Sequence, residues 1–297
     1  MIVVVGSINA DLVFEVDEIP RGGETVVAKS HRVVAGGKGA NQAVAAARLG
    51  ADVTFIGCVG DDQPGTDLRR DLEAEGVDAV SMSVASGPTG TAVVAVDKRG
   101  ENAIIVDEGA NGQLALGEEQ TQIIQSAEVV LCQQEIPINL VADVAALTKG
   151  VFVLNAAPSK GHPDGLLERV DVLVVNEHEA KDLGAGRDPV SIRALGVPTV
   201  ITTLGAAGAR VVTGGDIAVV EPPTVSVRDT TGAGDTFCGA LVAAMHDGMD
   251  VFEATARGVI AGALATQRLG ARTAMPTAAE LDEALVRRQS SRPTTTH

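Results

Sequence analysis

The 297-residue chain contains no Trp, no Tyr and only five Phe. Recognition of sugars or bases by ring stacking, or a large aromatic interface, needs more rings than that. Binding must therefore rest mainly on polar groups and backbone. Basic residues are scarce as well: 23 Lys plus Arg face 39 Asp plus Glu, a net charge of −16. A polyanion binder needs a basic footprint, so no nucleic-acid or anionic-membrane partner is expected. The three cysteines, Cys58, Cys132 and Cys238, are widely spaced and set in or beside apolar runs. With no CxxC pair they read as buried thiols, neither a zinc site nor a disulfide framework. The five histidines, His31, His162, His178, His246 and His297, follow no metal-ligand spacing. No uncharged apolar stretch reaches 18 residues; the best candidate, 251–269, carries Glu253, Arg257 and Arg268. The N-terminus opens on a strand-like run, 2–5, without the charged and apolar regions of a signal peptide. A cytoplasmic protein is expected. Neither GxxxxGK[ST] nor GxSxG occurs, which sets aside a Walker A loop and lowers the case for an α/β-hydrolase.

What the chain does have is ordinary globular composition, 45% apolar and 21% charged. Short Val/Ile-rich runs recur at 2–5, 54–59, 129–132, 151–154, 172–175, 199–203 and 210–213. Near-continuous apolar character over four to six residues fits strands buried on both faces, as in parallel sheets. Ala-rich amphipathic segments lie between them at 42–49, 65–75, 118–126, 138–148 and 188–195. Such alternation predicts a three-layer α/β/α, doubly wound and mostly parallel sheet. Three helical segments follow, near 234–247, 250–268 and 277–288. Residues 1–288 thus read as one α/β domain, and 289–297 as a polar, flexible tail.

Two stretches break the alternation. Residues 11–34 read as β pattern around Pro20-Arg21-Gly22-Gly23, and 91–106 as a hairpin around Lys98-Arg99-Gly100-Glu101. Both lie near Gly-rich motifs, so they are expected to form a small β lid over the C-terminal edge of the main sheet. A lid there would exclude water from a site.

Six polar elements sit at expected strand ends or helix starts. Asp229-Thr230-Thr231-Gly232-Ala233-Gly234-Asp235-Thr236-Phe237 runs small residues into a helix, so several N–H groups converge where an anion can bind. Asp235 suits either a helix cap or a general base taking a proton from a hydroxyl. Gly36-Gly37-Lys38-Gly39-Ala40-Asn41-Gln42 also opens a helix, with glycines for close approach and donors on Lys38 and Asn41. Asn9 and Asp11 follow the first strand, a carboxylate and an amide suited to vicinal hydroxyls. Glu135 ends one buried run, and Asn176 and Glu179 end another; such groups also suit metal–ATP chemistry through water. Thr203-Leu204-Gly205-Ala206-Ala207-Gly208 offers a turn for backbone contact with nucleotide phosphates.

With both glycine-rich signatures in this order, residues 2–287 resemble the ribokinase (PfkB-type) family of carbohydrate kinases. The resemblance implies ATP-dependent phosphorylation of the 5-hydroxyl of D-ribose. It implies Asp235 as the base, with Gly232, Ala233 and Gly234 as the anion hole. Sugar contacts would fall to Asn9, Asp11, Gly37, Lys38, Asn41 and Glu135. Nucleotide contacts would fall to Asn176, Thr203, Leu204, Gly205, Ala206, Ala207, Gly208 and Gly234. Glu179 would associate indirectly with Mg²⁺. A K⁺ ion would be held by Asp229, Thr231, Ala265, Arg268, Gly270 and Ala274, mostly through backbone oxygens; position 274 departs, being Ala where relatives often have Ser. The lid would form a homodimer interface. Open alternatives are a related kinase for deoxyribose, fructose, a sugar acid or a nucleoside, and a non-catalytic sugar-binding regulator. The Asp11–Asn41 pair favours a cis-diol, and scarce aromatics disfavour a nucleoside.

Overall fold

The computed structural model describes residues 1–159, 161–186 and 188–290. Eight strands build the main sheet: β1 (Ile2–Val5), β4 (Val53–Ile56), β9 (Val129–Gln133), β10 (Val151–Asn155), β11 (Val172–Asn176), β12 (Thr199–Thr203), β13 (Ala209–Thr213) and β14 (Asp216–Val220). Their spatial order is β14-β13-β12-β11-β10-β9-β1-β4. From β4 through β12 all neighbours are parallel. Alternate residues of each strand feed opposite layers, as the pleat requires. Ile2 and Val4 pack with helices α1 (Lys38–Arg48), α2 (Gln63–Ala74), α7 (Ala233–His246) and α8 (Val251–Ala265). Val3 and Val5 pack with α3 (Glu118–Ser126), α4 (Ile138–Leu147), α5 (Glu177–Asp182) and α6 (Pro189–Arg193). Leu281 of α9 (Ala278–Ser290) packs against Ile260 and Ala261 of α8. The expected three-layer α/β/α arrangement is therefore present, and all three cysteines are buried. Among the described residues, no helix is long and apolar enough to cross a membrane.

A second sheet has the order β3-β2-β7-β8, from β2 (Asn9–Glu15), β3 (Ser30–Gly36), β7 (Thr91–Val96) and β8 (Asn102–Asp107). β2 leaves β1 after only Gly6, Ser7 and Ile8, which puts this sheet at the C-terminal edge of the main one.

Several expected boundaries are corrected. The run 54–59 is not one strand. It breaks at Gly57, and β5 (Cys58–Gly60) departs to pair with β6 (Ser83–Ala85) in a two-stranded sheet. A Cβ at Gly57 would lie 2.5 Å from the Phe55 ring, so the bend takes a residue without one. The run at 210–213 is buried but antiparallel, and turns at Gly214-Gly215 into β14, a hairpin signal of the two-glycine kind. Helix α1 starts four residues before the expected 42, at Lys38, because Gly37 (φ 87°) supplies its entry turn. The 11–34 stretch forms strands only at its ends; Lys29 N–H bonds Glu15 O at 2.8 Å, and Glu24 N–H closes a turn on Arg21 O at 3.0 Å. Helix α9 runs on to Ser290, two residues into the segment read as tail, and 291–297 lie outside the described residues.

Candidate active site

In the main sheet, β1 has β4 on one side and β9 on the other, so successive crossovers diverge there. The crevice beyond such a switch point is where open α/β sheets take ligands. Across it, Ser7 Oγ donates to Glu135 Oε2 at 2.6 Å, and the Lys38 N–H donates to the same oxygen at 3.0 Å.

Gly232 precedes helix α7 as its cap; its φ of 73° is left-handed and its absent Cβ would lie 2.8 Å from the Ala271 backbone. Only glycine fits. The Gly234 and Asp235 amides of the first turn have no intrahelical acceptor by position, while Ala233 N–H bonds Thr230 O at 3.2 Å. The partners of Asp235 lie outside α7. It does not cap its own helix: Asn41 Nδ2 donates to Oδ2 at 3.1 Å, and Gln42 Nε2 to Oδ1 at 3.0 Å. Burial raises its pKa, while the Lys38 ammonium and these two amides pull the other way. Gln42 is itself held, donating to Asn155 Oδ1 at 3.0 Å and accepting from Gln133 Nε2 at 2.7 Å. Donors on both oxygens give the carboxylate a defined direction.

Asp11 and Asn9 approach from the second sheet. Asn9 Oδ1 accepts from Asn111 Nδ2 at 2.8 Å, and Asn111 is clamped to the Ile8 backbone by bonds of 2.9 and 3.1 Å. A side chain at Gly36 would run into the Asp11 carboxyl. Asp11 Oδ1 is buried without a partner. Burial, then the nearby Glu135 charge, push the Asp11 pKa up to about 7, against the pull of Arg272. An orphaned buried acceptor among polar groups is a place for a ligand O–H. Lys38 faces Asp235, Glu135 and Glu179, and its pKa is raised despite burial because those carboxylates surround it.

Asn176 caps α5, accepting from the His178 and Glu179 amides at 2.8 and 2.9 Å, while Glu179 Oε2 accepts the Asn176 N–H at 2.7 Å. This capping box makes a helix of what read as a strand end. Thr203 ends β12, and Leu204 N–H bonds Gly208 O at 2.7 Å around the exposed turn Gly205–Ala207. Asp229 Oδ1 accepts from Thr231 N and Oγ1 at 2.9 and 2.7 Å, and Oδ2 from Gly270 N at 2.7 Å. Those bonds draw 229–231 against 265–274. The Arg268 guanidinium itself pairs with Glu280.

Asp11, Lys38, Glu135 and Asp235 thus share one electrostatic neighbourhood, Asn41 bonds Asp235, Asn9 sits two residues from Asp11 on β2, and Glu179 stands within the field of Lys38. Ser7, Gln42, Asn111, Gln133, Asn155 and Arg272 belong to the same network but had been given no role. Gln42 lies inside the Gly36–Gln42 motif, Ser7 and Gln133 next to the strand ends that carry Asn9 and Glu135, and Asn111 just past the expected hairpin; Asn155 and Arg272 carry no sequence signal. Among the described residues, no group of three His, Cys, Asp or Glu could hold a metal ion.

The pfkB family carbohydrate kinase model matches residues 1–278. A ribokinase of Haemophilus influenzae is 37% identical, covering 95% of this chain and 97% of its own. A ribokinase of Bacillus subtilis is 38% identical over 96% of this chain and 99% of its own. The structure of Arabidopsis thaliana ribokinase complexed with ribose and ATP superposes with a TM-score of 0.89 at 33% identity, covering 96% and 98% of the two chains. The chain belongs to the pfkB family of carbohydrate kinases.

Proposed function

We propose that this kinase is a cytoplasmic ribokinase, transferring the γ-phosphoryl group of ATP to the 5-hydroxyl of D-ribose. The observation that carries the reading is Asp235, aimed by two carboxamides in the first turn of α7 and facing Lys38 and the orphaned Asp11 oxygen. In this reading Asn9, Asp11, Gly37, Lys38, Asn41 and Glu135 hold the sugar. Asp11 Oδ1 gains an O–H donor, and the preference for a cis-diol over a 2-deoxy sugar follows from leaving that acceptor unpaired. Asp235 takes the 5-hydroxyl proton as attack proceeds. The Gly232–Gly234 run supplies backbone N–H groups for the transferring phosphoryl charge, that of Gly234 free by position and that of Ala233 having first to leave Thr230 O. Asn176, Thr203, Leu204, Gly205, Ala206, Ala207, Gly208 and Gly234 line the nucleotide side.

Glu179 is a lone carboxylate with one oxygen tied to Asn176, which fits Mg²⁺ carried by ATP phosphates and reached through water. The positions 229, 231, 265, 268, 270 and 274 offer oxygen ligands on two segments that Asp229 ties together, a donor set suited to K⁺. At Ala274 only the backbone carbonyl can serve. Mg²⁺ and K⁺ would supply positive potential against the developing phosphate charge. The second sheet, as lid, would pair two copies in a homodimer.

An ADP-release assay with ATP, Mg²⁺ and K⁺ across D-ribose, deoxyribose, fructose and adenosine tests the reading. The highest kcat/KM is expected for ribose; a higher value for any other acceptor overturns it. Asp235→Asn should bind ribose normally in calorimetry while kcat falls roughly 10²–10⁴-fold. Near-normal turnover would remove Asp235 from the base role.

A further inference from the structure

Arg272 sits in the short turn Arg272–Ala274 and is only 7% exposed. Its Nε donates to Asn41 Oδ1 at 2.9 Å and its Nη2 to Gly36 O at 3.3 Å, while Nη1 pairs with Asp71 of α2. Burying a guanidinium is costly unless its N–H groups find partners, and here they reach three separate segments. The identity of one partner matters most. A guanidinium has five donors and no acceptor. The Asn41 atom it faces must therefore be the carbonyl oxygen, and the carboxamide NH₂ must face Asp235. With an apolar side chain at 272, the carboxamide would be free to turn its oxygen toward the Asp235 carboxylate, acceptor against acceptor.

We propose that Arg272 is a positioning residue for phosphoryl transfer, fixing which way the Asn41 carboxamide points and thereby the N–H bond that aims Asp235. The inference rests on Asp235 being the proton acceptor, and goes beyond that reading by naming what sets its direction. The titratable groups around Asp235 are Lys38 of α1, Glu135 beyond β9, Asp11 of β2 and Cys238 further along α7. Arg272→Met leaves these residues in place but removes the cation that holds the Asp11 pKa down. Arg272→Gln and Arg272→Lys separate loss of the charge from loss of the Asn41 bond. Loss of the Asn41 N–H bond would make Asp235 harder to ionise, so the acid limb of its pH–rate profile should move to higher pH.

The test compares Arg272→Met, Arg272→Lys and Asp71→Asn in the full chain, on the sugar that the wild type turns over fastest. A wrong acceptor assignment would thus overturn the functional reading and leave this test intact. Arg272→Met should lose roughly tenfold to a hundredfold in kcat, with the acid limb displaced upward. Arg272→Lys, which keeps a cationic donor, should recover most of the loss. Asp71→Asn should lower the melting temperature while leaving kcat within about twofold, because the donor to Asn41 remains. Pairing Arg272→Met with Asn41→Ala should give strongly non-additive losses. Should the Met variant not fold, Arg272→Gln, which no longer dictates the carboxamide's direction, takes its place in the same cycle. Additive losses, or an unmoved acid limb with wild-type kcat, would overturn the proposal.

Discussion

Asp11 carries an oxygen that is buried and unpaired, with its pKa pushed from 3.8 to about 7 by burial and the Glu135 charge. In the folded chain this carboxyl keeps its proton up to about pH 7, whereas the unfolded chain releases it near 3.8. Between those values the native state binds more protons. The group's favourable contribution is therefore complete below the lower value and is lost as pH rises through the upper one. Asp11→Asn cannot ionise and should escape that loss. Its melting temperature relative to wild type should climb between about pH 4 and pH 8; a constant difference would mean that Asp11 has an ordinary pKa. At this scale the sequence was most informative where chemistry is local. Gly36 to Gln42 and Asp229 to Phe237 carry Asn41 and Asp235 in recognisable company. Arg272 touches Asn41 across 231 positions, and Asn155 touches Gln42 across 113, separations at which no single-chain pattern operates.

Among elements, one close meeting is between the residue that follows β1 and the start of α1. A Cβ on Gly39 would lie 2.7 Å from the Cα of Gly6, backbone against backbone. Neither partner is a flexible side-chain end, so relief requires moving a strand or a helix. Gly39→Ala should cost about 1–3 kcal/mol or more in urea unfolding, and the displaced α1 would misplace Lys38 and Asn41. An unchanged unfolding midpoint would mean that the crossing adapts. Strand and helix alternation was legible because buried parallel strands are continuous apolar runs, as at 129–132 and 172–175. The break at Gly57 was not, since β5 is as apolar as β4 and only its pairing partner differs. Helix α5 was hidden because a six-residue helix with a polar cap looks like the end of its preceding strand.

For the whole molecule, the second sheet exposes apolar side chains in neighbouring rows. Val33, Leu12, Val93 and Ile105 fall in one register row, and Val33 and Ile105 are 63% and 73% exposed. The adjacent row holds Val34, Asp11, Ala92 and Val106, with Ala92 buried. An apolar row open to water on a protein of net charge −16 suits a neighbour of the same kind, since charge is absent from it. Ile105→Glu should shift the mass in light scattering from dimer to monomer. A variant that stays dimeric, or a wild type that is monomeric, would remove the sheet from that role.

Asn9 and Asp11 belong to β2, which follows β1 after a three-residue link, while Asn41 and Asp235 start helices of the other body. Any outward swing of the second sheet would carry Asn9 and Asp11 with it, two of the six residues proposed to hold the sugar. On the proposed roles, opening the cover and dissolving the grip on the ligand would be a single motion, so a molecule leaving would not have to break free of a site still intact.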